Sequence, residues 1–240
     1  MRFYKFFISI FLIFTVCFYI TTPVFSEETT YVWSPNNNSL NDSTNDNSSQ
    51  IKETNSEVDE SNSLSLESGS AILIEQTTGQ VLYSHNAHEQ LRPASVTKVM
   101  SILLIMEALD SNKISLTDSV PCSENAASMG GSQIWLDPRE TLTVDEMLKA
   151  ICVNSANDCV VAMSEFIAGS EEAFVQLMND KAKELGMNDT CFKNCHGLDE
   201  DGHVTSAYDI SLMSRELLVN HPTITNYTTI WTDTLRNRKI

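Results

Sequence analysis

Hydrophobic and polar residues change their pattern several times along the chain. An apolar run from about Phe6 to Ile20 follows Arg2 and Lys5. It has the make-up of a secretory leader and is shorter than the roughly 20 apolar residues of a membrane-spanning helix. Val24, Phe25 and Ser26 predict cleavage after Ser26, with an uncleaved N-terminal anchor as the alternative. The residues before Cys17 match a lipoprotein signal poorly. Residues 27–68 then turn rich in Asn, Ser, Thr, Asp and Glu, with two aromatics, Tyr31 and Trp33. Such a stretch buries too little apolar surface to offset its chain entropy, which predicts a disordered acidic tether.

From Gly69 the pattern becomes that of a folded domain, expected over residues 69–240. Ser70–Gln76 and Val81–His85 read as two strands joined by a turn at Thr77–Gln80, where Gly79 can take positive φ. A loop from Asn86 to Ala94 leads to a nearly continuous apolar run, Val96–Leu109, which predicts a core helix with Pro93 just before its first turn. A second helix is predicted over Thr143–Val153, with Thr143 and Glu146 spaced as a capping box. A polar break at residues 154–158 separates it from another apolar run that Gly169 ends.

Charge narrows the possible partners. Removing residues 1–26 takes away two basic residues and no acidic ones, leaving 13 Lys and Arg against 32 Asp and Glu, a net charge of −19. This argues against nucleic acid and against electrostatic docking on anionic lipid, so membrane contact is expected only through the leader or a further segment. Five of the six cysteines follow the leader, so outside the cell at least one stays free or pairs between chains. Cys191, Cys195 and His196 lack a second ligand pair of zinc-site spacing, and packing is the simpler role for these thiols.

One cation interrupts the apolar helix. Lys98 lies three residues after Ser95, a spacing that puts both side chains on one helix face. Burial among apolar neighbours favours a neutral amine, which can take a proton from a hydroxyl. The helix N-terminus also favours a developing oxyanion. Ser-x-x-Lys by itself occurs by chance in many proteins, and a capping serine beside a solvated lysine is the plain alternative. Sixty residues on, the polar break presents Ser155 and Asn157, a hydroxyl able to relay a proton and an amide able both to donate and to accept. An exposed interhelical loop would look the same.

Together, Ser-x-x-Lys at a helix start and Ser-x-Asn in an interhelical turn resemble the penicillin-recognising serine enzymes. RPASVTKVM, residues 126–140, VNSANDCVVAMSE and residues 194–217 further resemble the low-molecular-weight D-alanyl-D-alanine carboxypeptidases, peptidase S11-like. The resemblance implies a mixed α/β fold, an antiparallel sheet flanked by helices with a helical subdomain. It implies that Ser95 attacks the terminal D-alanyl-D-alanine of peptidoglycan stem peptides, outside the cytoplasm. Lys98 is then the base, Ser155 the relay, and Asn157 the group that holds the peptide and orients Lys98. β-Lactams would acylate the same serine, and no metal or organic cofactor is implied.

The family's third motif, Lys-Thr/Ser-Gly on a closing strand, does not occur before Ile240. The reading is therefore of the N-terminal part of such a domain, with closing strands missing and reduced activity. Rival readings are a D,D-endopeptidase, an inactive penicillin-binding-like protein, and a β-lactamase. The last would need a glutamate about thirty-six residues after Ser155, where Cys191 stands.

Overall fold

The structure, a computed structural model, describes residues 66–236 and 238–240. The expected leader and nearly all of the expected tether lie outside the described residues.

The chain enters through an antiparallel hairpin of β1 (Ala71–Ile74) and β2 (Val81–His85). The first strand is shorter than its sequence pattern because the Glu75 carboxylate folds back on the turn. It accepts the Thr77 and Thr78 N–H groups at 2.9 and 2.6 Å and the Thr78 hydroxyl at 2.7 Å. The Thr78 hydroxyl and these N–H groups hold the Glu75 carboxyl down at about 2. Gly79 takes φ +75° at the turn, as anticipated.

A 3₁₀ turn over Ala94–Thr97 precedes α1 (Lys98–Asp110). Helix α1 is buried on nearly every side, through Met100, Leu103, Ile105 and Met106 among others, which marks it as a central core helix rather than an amphipathic one. Strand β3 (Ser119–Pro121), the short α2 (Glu124–Ala127) and strand β4 (Thr141–Thr143) follow, with β3 and β4 paired antiparallel. Neither strand was anticipated, since three-residue strands carry almost no periodicity.

Helix α3 (Val144–Asn154) opens with the expected capping box: Thr143 Oγ1 accepts the Glu146 N–H at 3.2 Å, and Glu146 accepts the Thr143 N–H at 2.8 Å. After a two-residue break comes α4 (Asn157–Ala168), ended by Gly169 at φ +88°. Then follow α5 (Glu171–Glu184), capped by Ser170, and α6 (Ala207–Asn220), capped by Ser206. The described chain closes with a 3₁₀ turn (Pro222–Ile224), α7 (Thr225–Thr228) and a short pair, β5 (Thr234–Leu235) and β6 (Arg238–Lys239).

Helix α1 lies among α4, α5 and α6, and α4 also meets α2, α3 and α5. Helix α6 packs on β1, and Arg215 of α6 donates to the Gln76 and Thr77 carbonyls at 2.8 and 2.6 Å, fixing the hairpin turn. The helical part and the antiparallel pairing match the fold class expected from sequence. The described cysteines are free, with Cys122, Cys159 and Cys195 buried. Burial pushes the Cys152 thiol up to about 12 and raises Cys159 and Cys195 as well, so these thiols behave as packing groups.

Candidate functional site

Ser95 sits in the 3₁₀ turn rather than in the α-helix proper. This favours its pairing with Lys98, because three residues per turn set side chains i and i+3 one above the other. The Lys98 amine lies 3.2 Å from the Ser95 hydroxyl oxygen and donates to the His196 carbonyl at 2.7 Å. Lys98 is 3 % exposed, whereas Ser95 is open to solvent. Among the described residues Lys98 has no carboxylate within ion-pair distance. Burial accordingly lowers its pKa to about 8. The arrangement is a buried amine, eased towards its neutral form, beside an accessible hydroxyl whose proton it can accept.

The wall behind this pair is the loop of residues 194–198. Asn194 braces it, accepting the Gly197 N–H at 2.7 Å and donating to the Leu198 carbonyl at 2.9 Å. Gly197, at φ +92°, brings this loop against the Ala94 carbonyl. Ala94 itself has φ +47°, an uncommon conformation for a residue with a Cβ, immediately before Ser95. Thr97, on the buried side of the turn, hydrogen-bonds His203 at 2.7 Å. Sequence reasoning gave this loop no part in the site. The His-Gly pair at 196–197 was its only local signal.

The second half of the site is the break between α3 and α4. Ser155 caps α3 in the left-handed region, φ +55°, half-buried, and its hydroxyl makes no hydrogen bond among the described residues. Asn157 begins α4. Its N–H donates to the Ser132 carbonyl at 2.7 Å and its amide NH₂ to the Gly130 carbonyl at 2.8 Å. Its Oδ1 is buried without a partner among the described residues, an acceptor aimed at no protein donor. Asn157 was expected to orient Lys98. Here the Lys98 amine is held by Ser95 and His196, and the Asn157 amide by Gly130.

The strap of residues 129–136 joins the two halves. A Cβ on Gly131 would fall 2.8 Å from Asn157 Nδ2 and 3.5 Å from Leu198 Cδ2, so the strap, Asn157 and the 194–198 loop meet at Gly131. The buried Asp158 carboxylate pins the strap by accepting the Ile134 and Leu136 N–H groups, both at 3.1 Å. Asn154 adds a bond to the Gln133 carbonyl at 3.0 Å. Both sequence motifs thus border one region. No cluster of three or more His, Cys, Asp or Glu among the described residues is placed to hold a metal ion.

The family profile described as D-alanyl-D-alanine carboxypeptidase matches residues 54–240. The chain is 58% identical over 173 residues to the D-alanyl-D-alanine carboxypeptidase DacF of Bacillus subtilis, covering 72% of this chain and 44% of that protein. It is 37% identical over 164 residues to the D-alanyl-D-alanine carboxypeptidase DacC of Escherichia coli, covering 66% of this chain and 41% of that protein. The chain thus spans less than half the length of these curated relatives. Among solved structures, penicillin binding protein 6B of Escherichia coli superposes with a TM-score of 0.67 at 33% identity, covering 72% of this chain and 56% of that one. Penicillin-binding protein D2 of Listeria monocytogenes, in its ampicillin-bound form, gives 0.65 at 28%, covering 74% and 72%.

Proposed function

The chain belongs to the D-alanyl-D-alanine carboxypeptidase family, and on that premise we propose that it carries the nucleophile half of a serine D-alanyl-D-alanine carboxypeptidase acting on peptidoglycan outside the cytoplasm. Ser95 attacks the carbonyl between the two terminal D-alanines of a stem peptide. Its proton passes to the Lys98 amine, and the Ser155 hydroxyl hands a proton to the departing D-alanine. The unpartnered Oδ1 of Asn157 accepts an N–H of the bound peptide. Water then hydrolyses the ester on Ser95. A β-lactam, whose strained amide resembles the same carbonyl, acylates Ser95 by the first half of this path.

The observation that carries the reading is the buried Lys98 amine 3.2 Å from the Ser95 hydroxyl, without a carboxylate partner among the described residues. The surface charge adds nothing to substrate choice. The test is incubation of the chain with a labelled penicillin, followed by intact mass and peptide mapping. One adduct on Ser95, lost in Ser95→Ala, is expected. An adduct on Ser155, or an undiminished adduct in Ser95→Ala, overturns the assignment. Release of free D-alanine from a pentapeptide, rather than cleavage of cross-linked peptides, separates carboxypeptidase from endopeptidase.

A further inference from the structure

We infer that Glu171, the first residue of α5, is a positioning residue for the Ser95–Lys98 pair, acting through the Cys195–His196 peptide; this rests on the reading of Lys98 as the base for Ser95. Glu171 touches neither residue of the pair. Its Oε1 gathers three groups of the opposing loop: the Cys195 N–H at 3.3 Å, the Cys195 thiol at 3.3 Å and His196 Nε2 at 3.4 Å. His196 Nδ1 accepts the Leu198 N–H at 3.1 Å, so the neutral ring carries its proton on Nε2, facing Glu171. The two Cys195 groups donate to one carboxylate oxygen, and His196 Nε2 lies against that oxygen at ion-pair distance.

The carbonyls of the same two residues point to α1. Cys195 O accepts the Ser101 hydroxyl at 2.7 Å, and His196 O accepts the Lys98 amine at 2.7 Å. The peptide is thus held on one side by Glu171 and on the other by α1, and the position of the His196 carbonyl fixes where the Lys98 amine sits. The carboxylate is well placed in return, because a helix N-terminus favours negative charge in its first turn. Its side chain is 17 % exposed, so water screens it little. The ionisable groups around Lys98 and His196 are Cys195, Glu171, Glu200 and His203. Burial, and Lys98 nearby, depress His196. Of these groups, Glu171 faces the ring most closely, at 3.4 Å.

Removing Glu171 acts on Lys98 in one direction. The ammonium loses a fixed carbonyl acceptor and, beyond ion-pair distance, the carboxylate on the far side of the Cys195–His196 peptide, and both losses lower its pKa. The experiment compares the parent chain with Glu171→Ala and Glu171→Gln. Two quantities are read: the Lys98 titration midpoint from ¹³C-lysine NMR, and the penicillin acylation rate against pH. Glu171→Ala is expected to lower the Lys98 midpoint by about half a unit or more. Its plateau acylation rate should fall about 10- to 100-fold, the cost of misplacing a catalytic group by an ångström or less. Glu171→Gln keeps an acceptor and loses the charge, so its midpoint also falls while its plateau stays within about threefold of the parent. If Glu171→Ala does not fold, Glu171→Gln decides alone. A Lys98 midpoint equal to the parent's overturns the inference, whatever happens to rate or melting temperature, and so does a plateau in Glu171→Gln as low as in Glu171→Ala. A parent that is never acylated refutes the functional reading separately, and the titration still decides the role of Glu171.

Discussion

Gly197 lies so close to Ala94 that a Cβ built on it falls 1.9 Å from the Ala94 carbonyl oxygen and 2.5 Å from its carbonyl carbon. Both contacts are backbone, so no side chain can swing aside. The residue also has φ +92°, where L side chains are strained. Gly197→Ala is therefore expected to lower stability by about 3 kcal/mol, from overlap and backbone strain together. It displaces the Ala94 peptide next to Ser95, so penicillin acylation should fall with it. Urea unfolding and acylation kinetics check this, and a variant within 1 kcal/mol of the parent (about a fivefold change in the folding equilibrium) would show that the loop yields easily.

Asp158 holds the strap over Asn157 with a single buried carboxylate. It accepts the Ile134 and Leu136 N–H groups and, at 2.9 Å through Oδ1, its own helix's Cys159 N–H. Asp158→Ala leaves these buried donors without an acceptor. The expected loss is about 3 kcal/mol, the scale for stranding hydrogen bonds to a charged group. Asp158→Asn restores one acceptor and should lose roughly half as much. Chemical denaturation of both variants measures the difference, and an Asp158→Ala loss no larger than that of Asp158→Asn would contradict the clamp.

The sequence made the elements with strong local signals legible. Thr143 and Glu146 announce a capping box, Gly79 a turn and Val96–Leu109 a core helix, and each is where its pattern put it. Ser95 and Lys98 were legible as a pair because i and i+3 spacing is a local property, although the 3₁₀ geometry that stacks them was not. Long-range partners were illegible. Nothing in the stretch around His196 says that its carbonyl meets Lys98, 98 residues earlier. Nor does Glu171 look different from any acidic first-turn residue until α5 is placed against the loop. Asp158 reads as one more polar residue in a break, and only the fold shows it buried under the strap.

Thr143 offers a control at the far end of α3 from Ser155. Thr143→Ala removes the acceptor of the Glu146 N–H while leaving the Glu146 carboxylate free to cap the backbone. The expected cost is about 1 kcal/mol, typical of a lost N-cap. The acylation rate constant of the folded protein should not change, because the capping box touches none of the residues around Lys98. A rate change of tenfold at unchanged helix content would mean that α3 transmits its register to Ser155.

Lys98 joins function and stability in one titration. Burial lowers its pKa from 10.5 to about 8, so between those values the unfolded chain binds more protons than the folded one. The Lys98 contribution to stability then rises with pH across that window, by about 3 kcal/mol at 1.36 kcal/mol per unit, while the buried thiols of Cys152, Cys159 and Cys195 pull the other way, so the gap between parent and a Lys98 variant isolates it. Below about pH 8 the folded protein carries the whole cost of a buried ammonium. Lys98→Met fills similar volume without the charge, but it leaves the His196 carbonyl short of a donor. It is expected to be about 1–3 kcal/mol more stable than the parent at pH 7, with the gap closing towards pH 10.5. Acylation should be lost in Lys98→Met and also in Lys98→Arg, whose guanidinium keeps its proton at every working pH. In the parent, the acylation rate should fall about tenfold per unit below pH 8 as the amine is protonated. Guanidinium unfolding from pH 6 to 10.5 and acylation kinetics over the same range measure both sides. A parent-to-Met gap that stays constant with pH, or Lys98→Arg acylating within a few-fold of the parent, would remove Lys98 from the role of base.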